Sequence, residues 1–383
     1  MREAVIVEAV RTPIGRRKGM LSEIRAEDLA AKPLMEVVKR AGISPEFVED
    51  VIYGCVSQVG EQAFDIARQA ALIADYPVEV PGTTIDRQCG SSQQAVHFAA
   101  QAIISGDMDV VVAGGVEHMT RVPMGSNMQG VKINENLSLK YEIINQGLSA
   151  ERIADKWGLS RQQMDEFSLE SHEKAVAASK QGYFDYEIMP LEVKLEDGSE
   201  TVMNQDEGPR ESTNLEKLGQ LTPAFKEDGA ITAGNSSQIS DGAAALLIMS
   251  QEKAVELGVK PKFRIIARTV IGSDPTFMLT GPIPATEKVL KKAGLSLSDI
   301  DVFEVNEAFA SVPLAWLKET GAAPQKLNPN GGAIALGHPL GASGARLMTT
   351  MMYELERTEG RYGLQTMCEG HGMANATIIE RLT

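Results

Sequence analysis

Cysteine is scarce in this chain, with three among 383 residues. Set far apart, they supply neither a secreted disulfide framework nor a four-ligand zinc site, so a reducing compartment, the cytoplasm, is expected and no metal is. Long apolar runs are missing too: no stretch of about 18 apolar residues is available to span a membrane. The opening MREAVIVEAV is interrupted by Glu8 and followed by RTPIG, which reads as a first buried strand and a turn, not as a signal peptide. Positive charge is in deficit, 37 Lys and Arg against 52 Asp and Glu, for a formal charge of -15. That balance argues against nucleic acid or an anionic membrane surface as partner. An anionic ligand would need locally placed Arg, Lys or backbone N–H groups. What the chain does have is 43% hydrophobic and 23% charged residues, enough for a globular protein of two or three domains.

One plan is used twice along it. In the first half, strand-like runs at 4–7, 48–56, 83–86 and 109–115 alternate with helix-like runs at 28–41, 64–74 and 91–105. In the second, strands at 262–268, 300–305, 326–329, 363–368 and 373–380 alternate with helices at 286–293, 307–320 and one running through Leu355. Parallel βαβ units with helices on both faces are the expected product, an α/β fold. The match is one of order and not of letters. Between the halves, 117–238 is rich in Met, Asn, Gln and Glu, with one helical stretch at 150–182 and polar turns at 196–199 and 204–209. An insertion there lies over the carboxyl ends of the strands, where ligands bind.

Four stretches carry chemistry. Cys89 sits where a strand hands over to a helix N-terminus, a place that favours a thiolate. Nucleophile and buried structural thiol are both open readings on that stretch alone. His338 is locked between Gly337 and Pro339 in a loop with five glycines; a core histidine is the bland alternative, and no Gly-Lys-Ser/Thr makes the loop a P-loop. Cys368 and His371 have C-x-x-H spacing, but two ligands are too few for structural zinc. Asn306 and Glu307 end a strand and either cap the next helix or line a site.

Five motifs together resemble the thiolase family over essentially the whole chain: RTPIG at 11–15, DRQCGSS at 86–92, NEAFA at 306–310, GGAIALGHPLG at 331–341 and MCEG at 367–370. The resemblance implies a thiolase-like fold, two similar βαβαβαββ halves packed as five αβαβα layers with an inserted loop domain. The halves would be 1–116 plus about 239–260, and 261–383, with 117–238 holding coenzyme A and making oligomer contacts. It implies Cys89 as nucleophile, His338 and Cys368 as acid/base partners, and Asn306 and the Gly370 N–H as oxyanion donors. Ser237 in TAGNSSQISDG, Arg210 in DEGPR, and Phe309 are carried over as substrate or coenzyme A contacts. Coenzyme A enters as a substrate, no cofactor is bound permanently, and a homodimer or homotetramer is implied.

Two departures from the family pattern stand out. His371 occupies a place where many thiolases have glycine, as filler or as an added donor. Asn145 and Gln146 stand where acetoacetyl-specific members carry a His-Met pair, which favours a degradative 3-oxoacyl-CoA thiolase over a biosynthetic acetoacetyl-CoA enzyme. A decarboxylative 3-oxoacyl synthase is disfavoured by the second thiol at Cys368. A non-catalytic acyl-CoA-binding relative is disfavoured because Cys89 and His338 are both present.

Overall fold

The computed structural model describes residues 2–195 and 197–382, so Glu196 of the turn expected at 196–199 lies outside it. Strands Ala4–Arg11, Val110–His118 and Ser240–Ser250 are buried at every position, which is why their sequences are mostly apolar and small residues, with Glu8, Arg11, Glu117, His118 and Asp241 as the titratable exceptions. Phe263–Gly272, by contrast, alternates buried and half-buried residues.

The strands repeat one order in the two halves. In the first, Gly82–Ile85 pairs parallel with Asp50–Gly54, which pairs parallel with Val110–His118. Ser240–Ser250 then runs antiparallel between Val110–His118 and Ala4–Arg11. In the second, Leu327 makes a parallel bridge to Phe303 in strand Val302–Val305. That strand pairs parallel with Tyr362–Glu369, followed antiparallel by Met373–Arg381 and Phe263–Gly272. Numbered by chain order within each half, both read third, second, fourth, fifth, first. The third strand of the second half, expected at 326–329, is reduced to that single bridge.

The two sheets also meet edge to edge, Val5 opposite Arg264 and Ile6 opposite Phe263, so all join one ten-stranded sheet. Its two halves cover the same pair of buried helices, Ser91–Ser105 and Ser343–Thr358. One apolar cluster packs Ala99 and Met348 of those helices against Val111 and Leu246 of the first half and Val302 and Ile379 of the second. Helices Ala26–Ala41 and Ile66–Ile73 close the outer face of the first half, and Pro282–Ala293 and Ser311–Thr320 that of the second. The result is five layers, αβαβα.

The helix expected at 150–182 is two helices, Gln146–Trp157 and Arg161–Lys180. Gly158 takes a left-handed conformation (φ 57°) and ends the first. Ser160 and Gln163 then form a reciprocal capping box that starts the second. The helix expected from Glu307 starts only at Ser311, and neither Asn306 nor Glu307 caps it.

Candidate active site

Strand Gly82–Ile85 passes into helix Ser91–Ser105 through a tight turn with Gln88 at φ 47°. Ser91 Oγ locks the turn, donating to Gln88 O at 2.6 Å and accepting from Arg87 N at 2.9 Å. Cys89 lies at its head, buried among Val56, Met119, Leu340, Leu347 and Met367. Burial pushes the thiol well above its ordinary pKa, and the neighbouring Cys368 and Glu369 add to the effect. The thiolate expected from the helix terminus is therefore not the resting form, because removal from water outweighs the helix dipole.

His338 enters through Gly337, whose φ of 101° and 2.3 Å approach of a would-be Cβ to Ser240 Oγ admit only glycine. Its backbone N–H lies 3.1 Å from Gln238 O and 3.2 Å from Ser240 Oγ. Ser343 Oγ donates its one proton to Pro339 O at 2.8 Å, so at 2.6 Å it accepts from His338 Nδ1–H. That assignment leaves Nε2 bare. Burial first, then the nearby Arg346 charge, hold the imidazole down to about 3, so it is neutral and free to accept a proton. Asn306, one residue past strand Val302–Val305, faces it with Nδ2 3.4 Å from His338 Nε2 and 4.0 Å from Cys368 Sγ. Burial raises Cys368 to about 12, against the hydrogen bond from Asn306. The structure thus brings Cys89, His338, Asn306 and Cys368 into one buried cluster of neutral groups.

Two buried acids hold this cluster in place: Glu117, which the sequence left unassigned, and Glu307, read there as a helix cap or a site residue. Glu117, at the end of strand Val110–His118, accepts from Val56 N and Gly341 N through one oxygen and from Ser57 N and Gln62 Nε2 through the other. It ties the loop after His338 to the neighbouring strand end. Glu307 accepts from Ser171 Oγ, Ile334 N and Asn328 Nδ2, and so fixes the start of the glycine loop. The signal for Glu117 was a carboxylate at the end of an apolar and glycine run, and for Glu307 one just past a strand end, positions that burial tolerates only when several donors converge.

The remaining predicted residues divide. Gly370 is buried, and a Cβ built on it would lie 3.0 Å from Gln88 Oε1 and 3.3 Å from Gln146 Nε2, which places both amides beside it. His371 is exposed with φ 62°, and together with Gly372 (φ 77°) it turns the hairpin between Tyr362–Glu369 and Met373–Arg381. The carboxyl of Asp86 is raised by burial and pulled back by the Gln88 N–H and then by His371. Arg210 is exposed and stands apart from the thiols. It lines a cleft of about 260 Å³ with His172, Lys217, Gly234, Gln238 and Ile334. Gln238 links this cleft to His338, because its carbonyl accepts the His338 N–H. Ser237 donates its backbone N–H to Ala308 O at 3.0 Å, and Phe309 packs edge-on against Phe225 and shares an apolar cluster with Ala308 and Cys368. Among the described residues no group of three or more His, Cys, Asp or Glu is placed to hold a metal ion.

The model for the thiolase N-terminal domain matches residues 4–252, and that for the thiolase C-terminal domain matches 259–381. The whole chain is 53% identical to the steroid 3-ketoacyl-CoA thiolase FadA6 of Mycobacterium tuberculosis, covering 95% of that protein. It is 47% identical to the 3-ketoacyl-CoA thiolase of Aliivibrio fischeri, with both chains covered fully. The crystal structure of the Bacillus anthracis acetyl-CoA acetyltransferase superposes with a TM-score of 0.92 at 41% identity, over 100% of this chain and 99% of that one. Matched from end to end in sequence and fold, this chain belongs to the thiolase family.

Proposed function

We propose that the protein is an acyltransferase that cleaves 3-oxoacyl-CoA with coenzyme A, giving acetyl-CoA and a shortened acyl-CoA, and runs the reverse condensation. The observation that carries this reading is a pair of neighbouring buried thiols, Cys89 and Cys368, with Asn306 Nδ2 set between Cys368 Sγ and the unprotonated Nε2 of His338.

Each group has one task. Cys89 Sγ attacks the 3-keto carbon as its proton passes to His338 Nε2, so that the thiolate exists only during attack. The N–H groups of Cys89 and Gly370 hold the oxyanion of the tetrahedral intermediate. The bond between C2 and C3 then breaks, leaving its electron pair on C2 as the enolate of acetyl-CoA. Asn306 and the newly protonated His338 stabilise the enolate oxygen, and Cys368 gives its proton to C2. In the second half, the coenzyme A thiol adds to the acyl-Cys89 carbonyl and its proton goes to the Cys368 thiolate. Cys89 departs and takes its proton back from His338.

The cleft with Arg210 and Lys217 supplies the cations that a phosphate-bearing substrate needs in an acidic protein, with 117–238 as the segment that holds coenzyme A. Gln146 beside Gly370 puts a polar amide at the acyl end, which favours the degradative 3-oxoacyl-CoA reading over strict use of acetoacetyl-CoA. The exposed Phe64 and Val78 near the free edge strand Gly82–Ile85 suit a homo-oligomer, and three free thiols suit the cytoplasm.

The test separates the thiols. Cys89→Ala should abolish both half-reactions. Cys368→Ala should still acylate Cys89 from acetyl-CoA, seen by mass spectrometry of the intact protein, while thiolysis of 3-oxoacyl-CoA falls by about 10²–10⁴. Loss of acylation in folded Cys368→Ala, or unchanged thiolysis, would falsify the two-thiol scheme. Comparing acetoacetyl-CoA with longer 3-oxoacyl-CoA in the same assay decides the substrate class.

A further inference from the structure

Glu369 is a buried acid that the two-thiol chemistry leaves unused. It directly follows Cys368 at the end of strand Tyr362–Glu369, it is fully buried, and neither carboxyl oxygen has a hydrogen-bond partner. On the returning strand, Asn375 donates from Nδ2 to Gly90 O at 3.1 Å, while its Oδ1 is also buried and unpartnered. The two sets of orphaned oxygens converge at one spot. A Cβ built on Gly90 would lie 2.0 Å from Glu369 Oε1 and 2.8 Å from Asn375 Oδ1. Two oxygens that only accept would repel each other there, and a single hydrogen between them removes the conflict. Asn375 cannot supply it by turning its amide over, because Oδ1 would then face Gly90 O. Of these two side chains, the carboxyl is the one that can.

We propose that Glu369 is protonated in the working enzyme and donates its O–H to Asn375 Oδ1, forming a Glu369–Asn375–Gly90 clamp that positions the Cys89 turn. Glu369 is a positioning residue, acting through the backbone that carries Cys89 and its oxyanion-binding N–H, and in this it rests on the role given to Cys89 above. The surroundings agree with a neutral carboxyl. Burial pushes Glu369 up to about 8, with Arg87 pulling down and Asp86 pushing up. The thiols of Cys89 and Cys368 are the other titratable groups beside it, and His371 acts on the site through Asp86. Loss of the proton would break the clamp and set a negative charge beside the oxyanion.

Three variants and one spectrum test this. Glu369→Gln keeps an N–H donor for Asn375 Oδ1 and cannot ionise, so its kcat at pH 7 should stay within about three-fold of the parent. Glu369→Ala and Asn375→Ala should lower kcat by about ten-fold or more, with a smaller change in KM. The parent should lose kcat as pH rises through about 8, and Glu369→Gln should be free of that limb. Independently of turnover, the infrared difference between parent and Glu369→Gln at pH 7 should contain the carbonyl band of a protonated carboxyl, bleaching as pH passes 8. Absence of that band overturns the clamp, as does an alkaline limb shared by parent and Glu369→Gln, or a Gln variant as slow as the Ala variant. A failure of Cys89 as nucleophile would appear in the acylation measurement and leave the carboxyl band unchanged.

Discussion

At Cys89 two electrostatic effects of opposite sign meet. A helix N-terminus favours a thiolate by about 0.3–1 kcal/mol, whereas full burial opposes any charge by several pK units. Burial wins, so labelling of Cys89 by iodoacetamide in the ligand-free enzyme should be slow at neutral pH and climb through and beyond about 8.5. A plateau reached below pH 7 would show that the helix terminus dominates instead. His371 is decided by exposure in the same way. It holds φ 62° in a turn where glycine is less strained, and its side chain is outside the buried cluster. His371→Gly should therefore raise stability by up to about 1 kcal/mol and leave turnover within a few-fold, measured by denaturant unfolding and steady-state kinetics. A ten-fold drop in turnover would make it a donor. Cysteine and histidine announced themselves by type and by flanking glycines. Ser343 did not, because a serine in a helix's first turn becomes an imidazole anchor only when the loop before it folds back.

Among the elements, the site is made where strand ends converge, and close approach there leaves room for no side chain. A Cβ on Gly115 would lie 2.2 Å from Gly341 O, and one on Gly54 would lie 2.4 Å from Ser92 N. Glu117 completes the junction by collecting three backbone N–H groups and one side-chain amide. In Glu117→Gln an amide N–H would face a backbone donor, so stability should fall by about 1–3 kcal/mol and turnover with it, as segment 338–341 loosens. Denaturation midpoints report the first and acylation rates the second; a change under about 0.5 kcal/mol would mean the carboxylate is not the tie described. Helix 91–105 was legible to the residue at both ends. The third strand of the second half was not. Leu327 pairs at one point only, and nothing in the letters 326–329 distinguishes a bridge from a strand.

For the molecule as a whole, buried acids and imidazoles set opposing pH dependences. Burial lowers His97 and His338 to about 3 and His172 to about 4, against 6.5 for free imidazole. The unfolded chain then binds more protons below 6.5, and stability is lost as pH falls from there. Burial raises Glu304 and Glu369 to about 8, against 4.5. Here the folded state holds the extra protons, so the contribution is complete below 4.5 and lost as pH rises through 8. Each group adds up to about 1.4 kcal/mol per pH unit inside its window. The two trends oppose each other between 4.5 and 6.5. Calorimetric melting should be highest on that mildly acidic plateau and decline from 6.5 to 8, with Glu304→Gln and Glu369→Gln each reducing the decline. A melting temperature that keeps rising to pH 8 would contradict the protonated acids.

Family and fold were determined by the sequence alone, which also singled out the two thiols and the imidazole as candidates, because these are written in local patterns: five motifs, strand and helix periods, and rare residue types at glycine-flanked turns. So was the doubled plan, as an order of elements. Tertiary structure decided what depends on distance from water and on residues far apart in the chain. It made the resting thiol and imidazole neutral, since that follows from enclosure and not from neighbours in sequence. It set Arg210 in a cleft apart from the thiols while linking the two through Gln238. It also brought Glu369 against Asn375 and Gly90, 285 positions from Asn375 along the chain, where two orphaned oxygens and a missing hydrogen become visible only once both strands are paired.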